Sequence, residues 1–320
     1  MLHSLTTVPE SRQGSEGYKQ CMNSQVNLST SSQLPAEAQA VLNTALRIET
    51  PCGDGTLVWH IWGTQSCVQG LPPVVLFHGG SGSWTHWLRN IGVLVESGRR
   101  VLVPDMPGFG DSASPAQGED ADACPEAIEH GLNILLGDAA CDLVGFSFGG
   151  MVAGFLATQF PARPNRLVLV GAPGLGVQPK NALRLNAWRH LPDADQRDAV
   201  HRKNLAALML HRSSSITELV VRLHVANVLR DRMQQRRLAR SDALALALVE
   251  VQCPLHAIYG REDVLFQEQM EALETALRQA GNFHGLTVIE ASGHWVQFEE
   301  ADAFNEALLG VLDAVLQPVA

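Results

Sequence analysis

The chain has 320 residues, of which 46% are apolar and 18% are charged, a balance that is ordinary for globular proteins. Its formal net charge of −10 argues against a nucleic-acid-binding surface, which would need a basic stripe. No apolar run reaches about 18 residues, so no membrane-spanning helix is expected.

The N-terminal region lacks a basic segment followed by an apolar core, so no secretory signal is predicted and we expect a cytoplasmic protein. The six cysteines show no paired spacing of the kind found in disulfide frameworks or metal sites. We therefore expect no metal and no organic cofactor.

Residues 1–35 are rich in Ser, Gln, Asn and Thr and show no periodicity, which predicts a flexible N-terminal extension. Eight strand-like segments follow, with helical patterns between the later ones. The strands are expected at residues 45–49, 56–62, 73–77, 100–103, 140–144, 166–170, 254–259 and 286–290. The helices are expected at residues 84–96, 123–136, 148–159, 267–280 and 301–316.

Strands that alternate with helices predict an α/β protein with a mostly parallel eight-stranded sheet and helices on both faces. The first two strands flank a turn at residues 51–55 and are expected to pair antiparallel at one edge. Residues 175–250 break the alternation, because their pattern is almost entirely helical. We therefore predict a core of residues 36–174 and 251–320, with an all-helical cap inserted after strand 6. Such a cap would cover the C-terminal sheet edge, where open α/β sheets bind ligands.

A G-x-S-x-G motif at residues 145–149 follows a predicted strand and opens a predicted helix. A serine at such a sharp turn has a strained backbone, which is tolerated when small residues lie two positions before and after it. Gly145 and Gly149 meet this requirement. The helix N-terminus behind Ser147 also favours negative charge, so Ser147 is predicted to be a nucleophile.

A serine hydroxyl needs a base to take its proton and a carboxylate to orient that base. With a motif of this kind, the acid and the base follow the serine along the chain. Asp263 lies on the turn after the predicted strand 254–259, with Glu262 as the neighbouring alternative, and His294 lies just past the last strand. Because these positions share the C-terminal edge of the sheet, we predict a Ser147–His294–Asp263 triad.

The negative oxygen formed by nucleophilic attack needs backbone N–H donors. The N–H of Phe148 is one expected donor, and the glycine-rich loop 78–83 is expected to supply the other, from Gly80 or alternatively Ser81. A glycine-rich loop after a strand can instead hold phosphate, but this one lacks the Gly-Lys-Ser/Thr ending. Residues 105–112 are interpreted as a structural turn.

These motifs, in this order and spacing, resemble the α/β-hydrolase superfamily from about residue 45 onward. A narrower resemblance is to the meta-cleavage-product hydrolases, which cut carbon–carbon bonds in vinylogous 1,5-diketones from aromatic degradation. It is carried by residues 292–305, with Trp295 after the histidine and Gln297 two residues later, and by residues 171–176 and 215–229. The resemblance also leaves open a homo-oligomer, since many relatives pair or form tetramers.

Two positions depart from the resembled family. Phe146 stands where an asparagine is usual, and His224 stands where a cap arginine contacts the substrate's carboxylate. The resemblance therefore implies a less acidic substrate, or one bound differently. His224 is expected either in the pocket or at the helix surface. The candidate substrate-binding residues are Phe146, Trp295, His224, Met209 and Ser81. The other cap arginines are expected on a solvated face: Arg230, Arg232, Arg236, Arg237 and Arg240.

The sequence supports three functional hypotheses, all with a small molecule as the partner. The first is a serine hydrolase that cleaves a carbon–carbon bond in a ring-cleavage product. The second is a carboxylester, lactone or amide hydrolase of the same fold. The third is a receptor on a hydrolase fold that binds a ligand without turnover.

Overall fold

The computed structural model describes residues 34–233 and 235–314, so nearly all of the predicted N-terminal extension lies outside the described residues. Within them, eight strands form one sheet. The strands are β1 (Leu46–Cys52), β2 (Gly55–Trp62), β3 (Val74–Phe77), β4 (Val101–Pro104), β5 (Cys141–Phe146), β6 (Pro164–Val170), β7 (Leu255–Gly260) and β8 (Phe283–Ile289). The helices are α1 (Ala36–Leu42), α2 (Ile91–Glu96), α3 (Pro125–Leu136), α4 (Phe148–Gln159), α5 (Ala194–Asn204), α6 (Glu218–Val228), α7 (Ala243–Leu248), α8 (Met270–Leu277), α9 (Val296–Glu299) and α10 (Ala301–Asp313).

The sheet has the strand order β1-β2-β4-β3-β5-β6-β7-β8. β2 pairs antiparallel with both β1 and β4, whereas the pairs from β4 through β8 are parallel. The predicted mostly parallel sheet with an antiparallel hairpin at one edge is therefore confirmed. The strand order reverses around β3 and β5, and the crevice outside their carboxyl ends is the expected ligand site of such a sheet.

The sheet has an apolar core on each face. Along β3, Val75 and Phe77 belong to one core cluster, and Val74 and Leu76 belong to the other. Successive side chains of a strand point to opposite faces, so all four are fully buried only because helices cover both sides. The helices on both faces hold the strand ends in place, and the loops of the candidate site begin at those ends.

One predicted helix is divided. Residues 84–96 form a 3₁₀ turn, Trp84–Trp87, and then α2, with Asn90 at the break. The buried amide of Asn90 donates to the carbonyl oxygen of Gln297 at 2.9 Å and to the side chain of Asn305 at 2.8 Å. Those long-range hydrogen bonds hold Asn90 at the break. The short helix α1 was not predicted.

The chain between β6 and β7 contains helices and irregular segments, with no strand among its described residues. It comprises α5, a π-helical turn at Leu205–Met209, α6 and α7, and it begins with irregular chain at residues 171–193. The predicted insertion after strand 6 therefore contains irregular chain as well as helices, and its role as a cap stays a prediction. None of the described helices is both long and apolar enough to cross a bilayer.

The backbone contact between α4 and the loop after β3 leaves no room for a side chain at Gly149. A Cβ there would lie 2.4 Å from the carbonyl oxygen of His78 and 2.5 Å from that of Phe77. We expect Gly149→Ala to lower the free energy of unfolding by about 1–3 kcal/mol, as overpacking does. Gly92→Ala on α2 is the control, since nothing lies within 4 Å of its added Cβ. Urea denaturation measures both, and equal stabilities would contradict the packing argument.

Candidate active site

The serine of the G-x-S-x-G motif lies at a strained turn between β5 and α4. Ser147 has φ 52° and ψ −117°, a conformation that costs a non-glycine residue about 1–3 kcal/mol. A Cβ on Gly145 would lie 2.4 Å from the carbonyl oxygen of Gly149, so the turn closes only with glycine at that position. The predicted strained turn is therefore present. Because α4 starts at Phe148, the N–H of that residue has no acceptor within its own helix.

Ser147, His294 and Asp263 form a continuous hydrogen-bonded series. His294 Nε2 lies 2.9 Å from Ser147 Oγ, and His294 Nδ1 lies 2.8 Å from Asp263 Oδ2. The carboxylate can only accept, so Nδ1 carries the ring proton and Nε2 is left to accept from the serine hydroxyl. Asp263 is fully buried, and its Oδ1 accepts from the N–H of Leu265 at 3.0 Å. The arrangement can therefore remove a proton from Ser147.

The hydrogen bonds of Asp263 and Glu262 distinguish the two candidates for the acid that orients His294. Glu262, the alternative acid, accepts instead from the side chain of Gln267 at 2.8 Å. Room for the imidazole comes from Gly171, which has φ 54°, and a Cβ there would lie 3.3 Å from His294 Nδ1. The contacts of the neighbouring residues thus support Asp263.

A cavity of about 640 Å³ opens above Ser147, and a second compartment of about 560 Å³ adjoins it. Phe146, Ser147, Phe148 and His294 line the first. Both are lined by Gly80, Leu185, Leu208, Met209 and Arg236. Gly80, on the loop after β3, therefore lies where the two spaces meet, and Ser147 lies in the first of them.

Four of the five predicted substrate-binding residues line these spaces. Phe146 lines the first, Met209 lines both, and Ser81 and His224 line the second compartment. His224 is on α6, its ring 5.3 Å from that of His201, and burial together with the charge of His201 lowers its pKa to about 3. Of the two expectations for His224, the structure shows the pocket position.

Trp295, the fifth predicted substrate-binding residue, lines neither compartment. The ring is 1% exposed, stacks on Phe298 at 4.3 Å between ring centroids, and donates from Nε1 to the carbonyl oxygen of His86 at 2.9 Å. Trp295 therefore supports His86, which does line the second compartment.

The expectation that Arg236 belongs to a solvated face is wrong. Its guanidinium lies beside Gly80, where an added Cβ would be 2.9 Å away, and it lines both compartments. It pairs with Asp231 and donates to Ser81 Oγ at 3.3 Å. Its position depends on a loop 155 residues away in sequence, so helical spacing gave no sign of it.

Glu299 is a further residue that the sequence did not single out. Its buried carboxylate accepts from the backbone N–H groups of Gly293 at 2.8 Å, His211 at 2.9 Å and Arg212 at 2.8 Å. It thus joins the helical insertion to the residue before His294. The N–H of Trp295 donates to the carbonyl oxygen of Met209 at 2.7 Å, which strengthens the same connection.

Comparison with known proteins shows that residues 74–307 match the model of the alpha/beta hydrolase family. The chain belongs to the alpha/beta hydrolase family. This confirms the predicted fold and the predicted class of enzyme, a hydrolase.

The relatives of this hydrolase include proteins named as dienedioate and dienoate hydrolases. It is 30% identical over 258 residues, 75% of this chain and 87% of the relative, to a 2-hydroxy-6-oxononadienedioate/2-hydroxy-6-oxononatrienedioate hydrolase of Comamonas testosteroni. It is 28% identical over 253 residues, 75% of this chain and 87% of the relative, to a 2-hydroxy-6-oxo-6-phenylhexa-2,4-dienoate hydrolase of Burkholderia cepacia. The narrower resemblance is thus confirmed.

A meta-cleavage product hydrolase from Pseudomonas fluorescens IP01 superposes with a TM-score of 0.64 and 25% identity, over 82% of this chain and 96% of that chain. A carboxylesterase from Bacillus subtilis superposes with a TM-score of 0.65 and 19% identity, over 88% of this chain and 97% of that chain, and shows the shared fold alone. In the described part of this hydrolase, no group of three or more His, Cys, Asp or Glu side chains is placed to hold a metal ion.

The three backbone bonds to Glu299 predict that its charge holds the loop of His294. Replacing Glu299 by Gln turns one acceptor into a donor that faces an N–H, so we expect a loss of about 1–3 kcal/mol in unfolding free energy. We also expect slower covalent labelling of Ser147 by a fluorophosphonate. Glu300→Gln is the matched control, since Glu300 is only partly buried and pairs with Arg212. Thermal melts and labelling rates that are equal for the two variants would refute this role.

Proposed function

We propose that this protein is a serine hydrolase in which Ser147, His294 and Asp263 form a catalytic triad. The observation that carries the proposal is the pair of hydrogen bonds, 2.9 Å and 2.8 Å, which links the three side chains beside a cavity. In this mechanism His294 takes the proton of Ser147 as the hydroxyl oxygen attacks a carbonyl carbon. Asp263 orients the imidazole and stabilises its charged form.

The developing oxyanion is proposed to bind the N–H groups of Gly80 and Phe148. Phe148 supplies the first N–H of α4, and the positive end of the helix dipole faces the same point. Gly80 borders the cavity of Ser147 and carries no side chain that would cover its N–H. Water then releases the acyl group from Ser147.

The proposed reaction is cleavage of a carbon–carbon bond in a ring-cleavage product with a vinylogous diketone. The relatives named for dienedioate and dienoate hydrolysis support this. The second compartment, which adjoins the cavity of Ser147, supports it as well, since the two spaces offer room for the two sides of a scissile carbonyl. After ketonisation of the dienol, Ser147 attacks the ketone and the adjacent carbon–carbon bond breaks. The conjugated fragment accepts the electron pair and then the proton held by His294.

The helical insertion between β6 and β7 is proposed to act as a cap. It supplies Leu208 and Met209 to both compartments and His224 to the second. Apolar side chains placed over a site displace water, and the loss of water strengthens the electrostatic interactions there.

An ester, lactone or amide hydrolase of the same fold is the second candidate. It is favoured by the pairing of Arg236 with Asp231, which neutralises the cation beside Gly80. His224 adds no positive charge near neutral pH, because burial lowers its pKa to about 3. The space beside Gly80 therefore has less electrostatic attraction for a dianionic dienoate than it would have with an unpaired arginine at that point.

Turnover of two probes separates the candidates. We expect the purified enzyme to consume 2-hydroxy-6-oxo-6-phenylhexa-2,4-dienoate, followed by loss of dienolate absorbance, with a kcat/KM well above that for p-nitrophenyl acetate. Ser147→Ala and Asp263→Asn should each lower kcat by at least about 1,000-fold. Glu262→Gln is the matched control and should stay within a few-fold of the wild type. Ester turnover alone would favour the second candidate, and binding without turnover would favour a receptor.

Arg236 is proposed to contact the anionic group of the substrate. Arg236→Gln should raise the KM for the dienoate by about 10-fold or more, the value of one charge-assisted hydrogen bond, and leave the KM for the neutral ester unchanged. Arg237→Gln is the control, because that side chain is exposed and lines neither compartment. An equal effect on both substrates would show that Arg236 has only a packing role.

A further inference from the structure

The peptide groups on either side of Gly79 are held by two different histidine rings. The N–H of Gly79 donates to His86 Nδ1 at 3.1 Å, and His78 Nδ1 lies 2.8 Å from the carbonyl oxygen of Gly79. His78 is fully buried and His86 is 3% exposed. Neither ring belongs to the proposed triad, and Gly79 directly precedes the proposed oxyanion donor Gly80.

The hydrogen bonds fix the tautomer of both rings. His78 Nε2 accepts from the N–H of Met106 at 2.9 Å, so the ring proton is on Nδ1 and donates to Gly79. His86 accepts at Nδ1, so its proton is on Nε2. Both rings are neutral near pH 7, because burial lowers the pKa of His78 to about 4 and that of His86 well below its usual value.

This arrangement sets the direction of the Gly80 N–H. In a trans peptide the carbonyl and the following N–H point to opposite sides. His78 holds the carbonyl of Gly79, so the N–H of Gly80 points away from His78. Gly79 itself packs against the nucleophile turn, since a Cβ on it would lie 3.3 Å from Ser147 Cβ.

His86 is in turn held rigidly. Its ring lies 5.5 Å from that of Phe146 in an edge-on contact and 4.9 Å from that of Trp295, and Trp295 Nε1 donates to its carbonyl oxygen. Trp295 directly follows His294, so the base and the loop after β3 share one support. Its environment therefore gives His86 little freedom to move away from Gly79.

We propose that His86 is a positioning residue, which with His78 orients the N–H of Gly80 toward the oxyanion of the transition state. This inference rests on the proposed serine hydrolase function. Two substitutions test the acceptor at Nδ1 of His86 separately from the size of the side chain. Asparagine places an oxygen at the same δ position, and leucine places a methyl group there.

The test compares His86→Asn with His86→Leu. Both variants replace the imidazole ring with a smaller side chain and so enlarge the second compartment. Only asparagine keeps an acceptor for the N–H of Gly79. The probe is a fluorophosphonate, whose phosphoryl oxygen needs the oxyanion donors when Ser147 attacks it. The readouts are the maximal labelling rate, the half-saturating concentration and the melting temperature, with kcat and KM for p-nitrophenyl acetate as a second assay.

We expect His86→Leu to lower the maximal labelling rate and kcat by about 100-fold, as loss of one oxyanion donor does. His86→Asn should stay within about 10-fold of the wild type. The half-saturating concentration and KM should change little in either variant. A purely structural role would instead lower the melting temperature of both variants and slow both alike, and that result would overturn the inference.

Two outcomes separate the failure of this inference from failure of the proposed function. A wild-type enzyme that the fluorophosphonate does not label at Ser147 would refute the proposed function. Labelling of the wild type, with equal rates in the leucine and asparagine variants, would refute the role of His86 alone. If His86→Leu does not fold, His86→Met replaces it as the variant without an acceptor, and the same comparison decides.

Discussion

The turn at Ser147 is the constraint on which the site depends. The backbones of β5, α4 and the loop after β3 approach so closely that a Cβ at Gly145 or Gly149 would lie 2.4 Å from a carbonyl oxygen. This contact holds Ser147 at φ 52°, where its side chain meets His294 instead of packing in the sheet. The burial of β5 and α4 offsets the strain, since most residues of both elements are inaccessible to solvent.

The electrostatics of the site favour oriented dipoles over free charges. Burial lowers the pKa of His78, His86 and His224, so these rings act as neutral donors or acceptors. His294 is held instead by the carboxylate of Asp263, which lies 2.8 Å from its Nδ1. A site built from fixed N–H groups stabilises charge as it develops, and no solvent reorganisation is needed at that moment.

The helical insertion and the loop of His294 are joined by several hydrogen bonds. The carboxylate of Glu299 binds N–H groups of Gly293, His211 and Arg212, and the carbonyl of Met209 binds the N–H of Trp295. Met209 also ends the π-helical turn Leu205–Met209, a rare geometry that recurs at functional sites. Residues of the insertion that line the cavity are thereby held against the loop of His294.

The sequence by itself determined the eight strands and the strained turn at residues 145–149, and it singled out His294 and Asp263, which the fold brings into one hydrogen-bonded series with Ser147. These features follow from local patterns: alternation within strands, glycine spacing in a turn, and the order of residues at strand ends. Tertiary structure alone decided the break at Asn90, the pocket position of Arg236, the support role of Trp295 and the hydrogen bonds of His86. Each depends on partners distant in sequence, such as Trp295 and His86, which are 209 positions apart. Propensity and spacing record only neighbours along the chain, whereas a side chain's final hydrogen bonds depend on which backbone groups the completed fold leaves unpaired beside it.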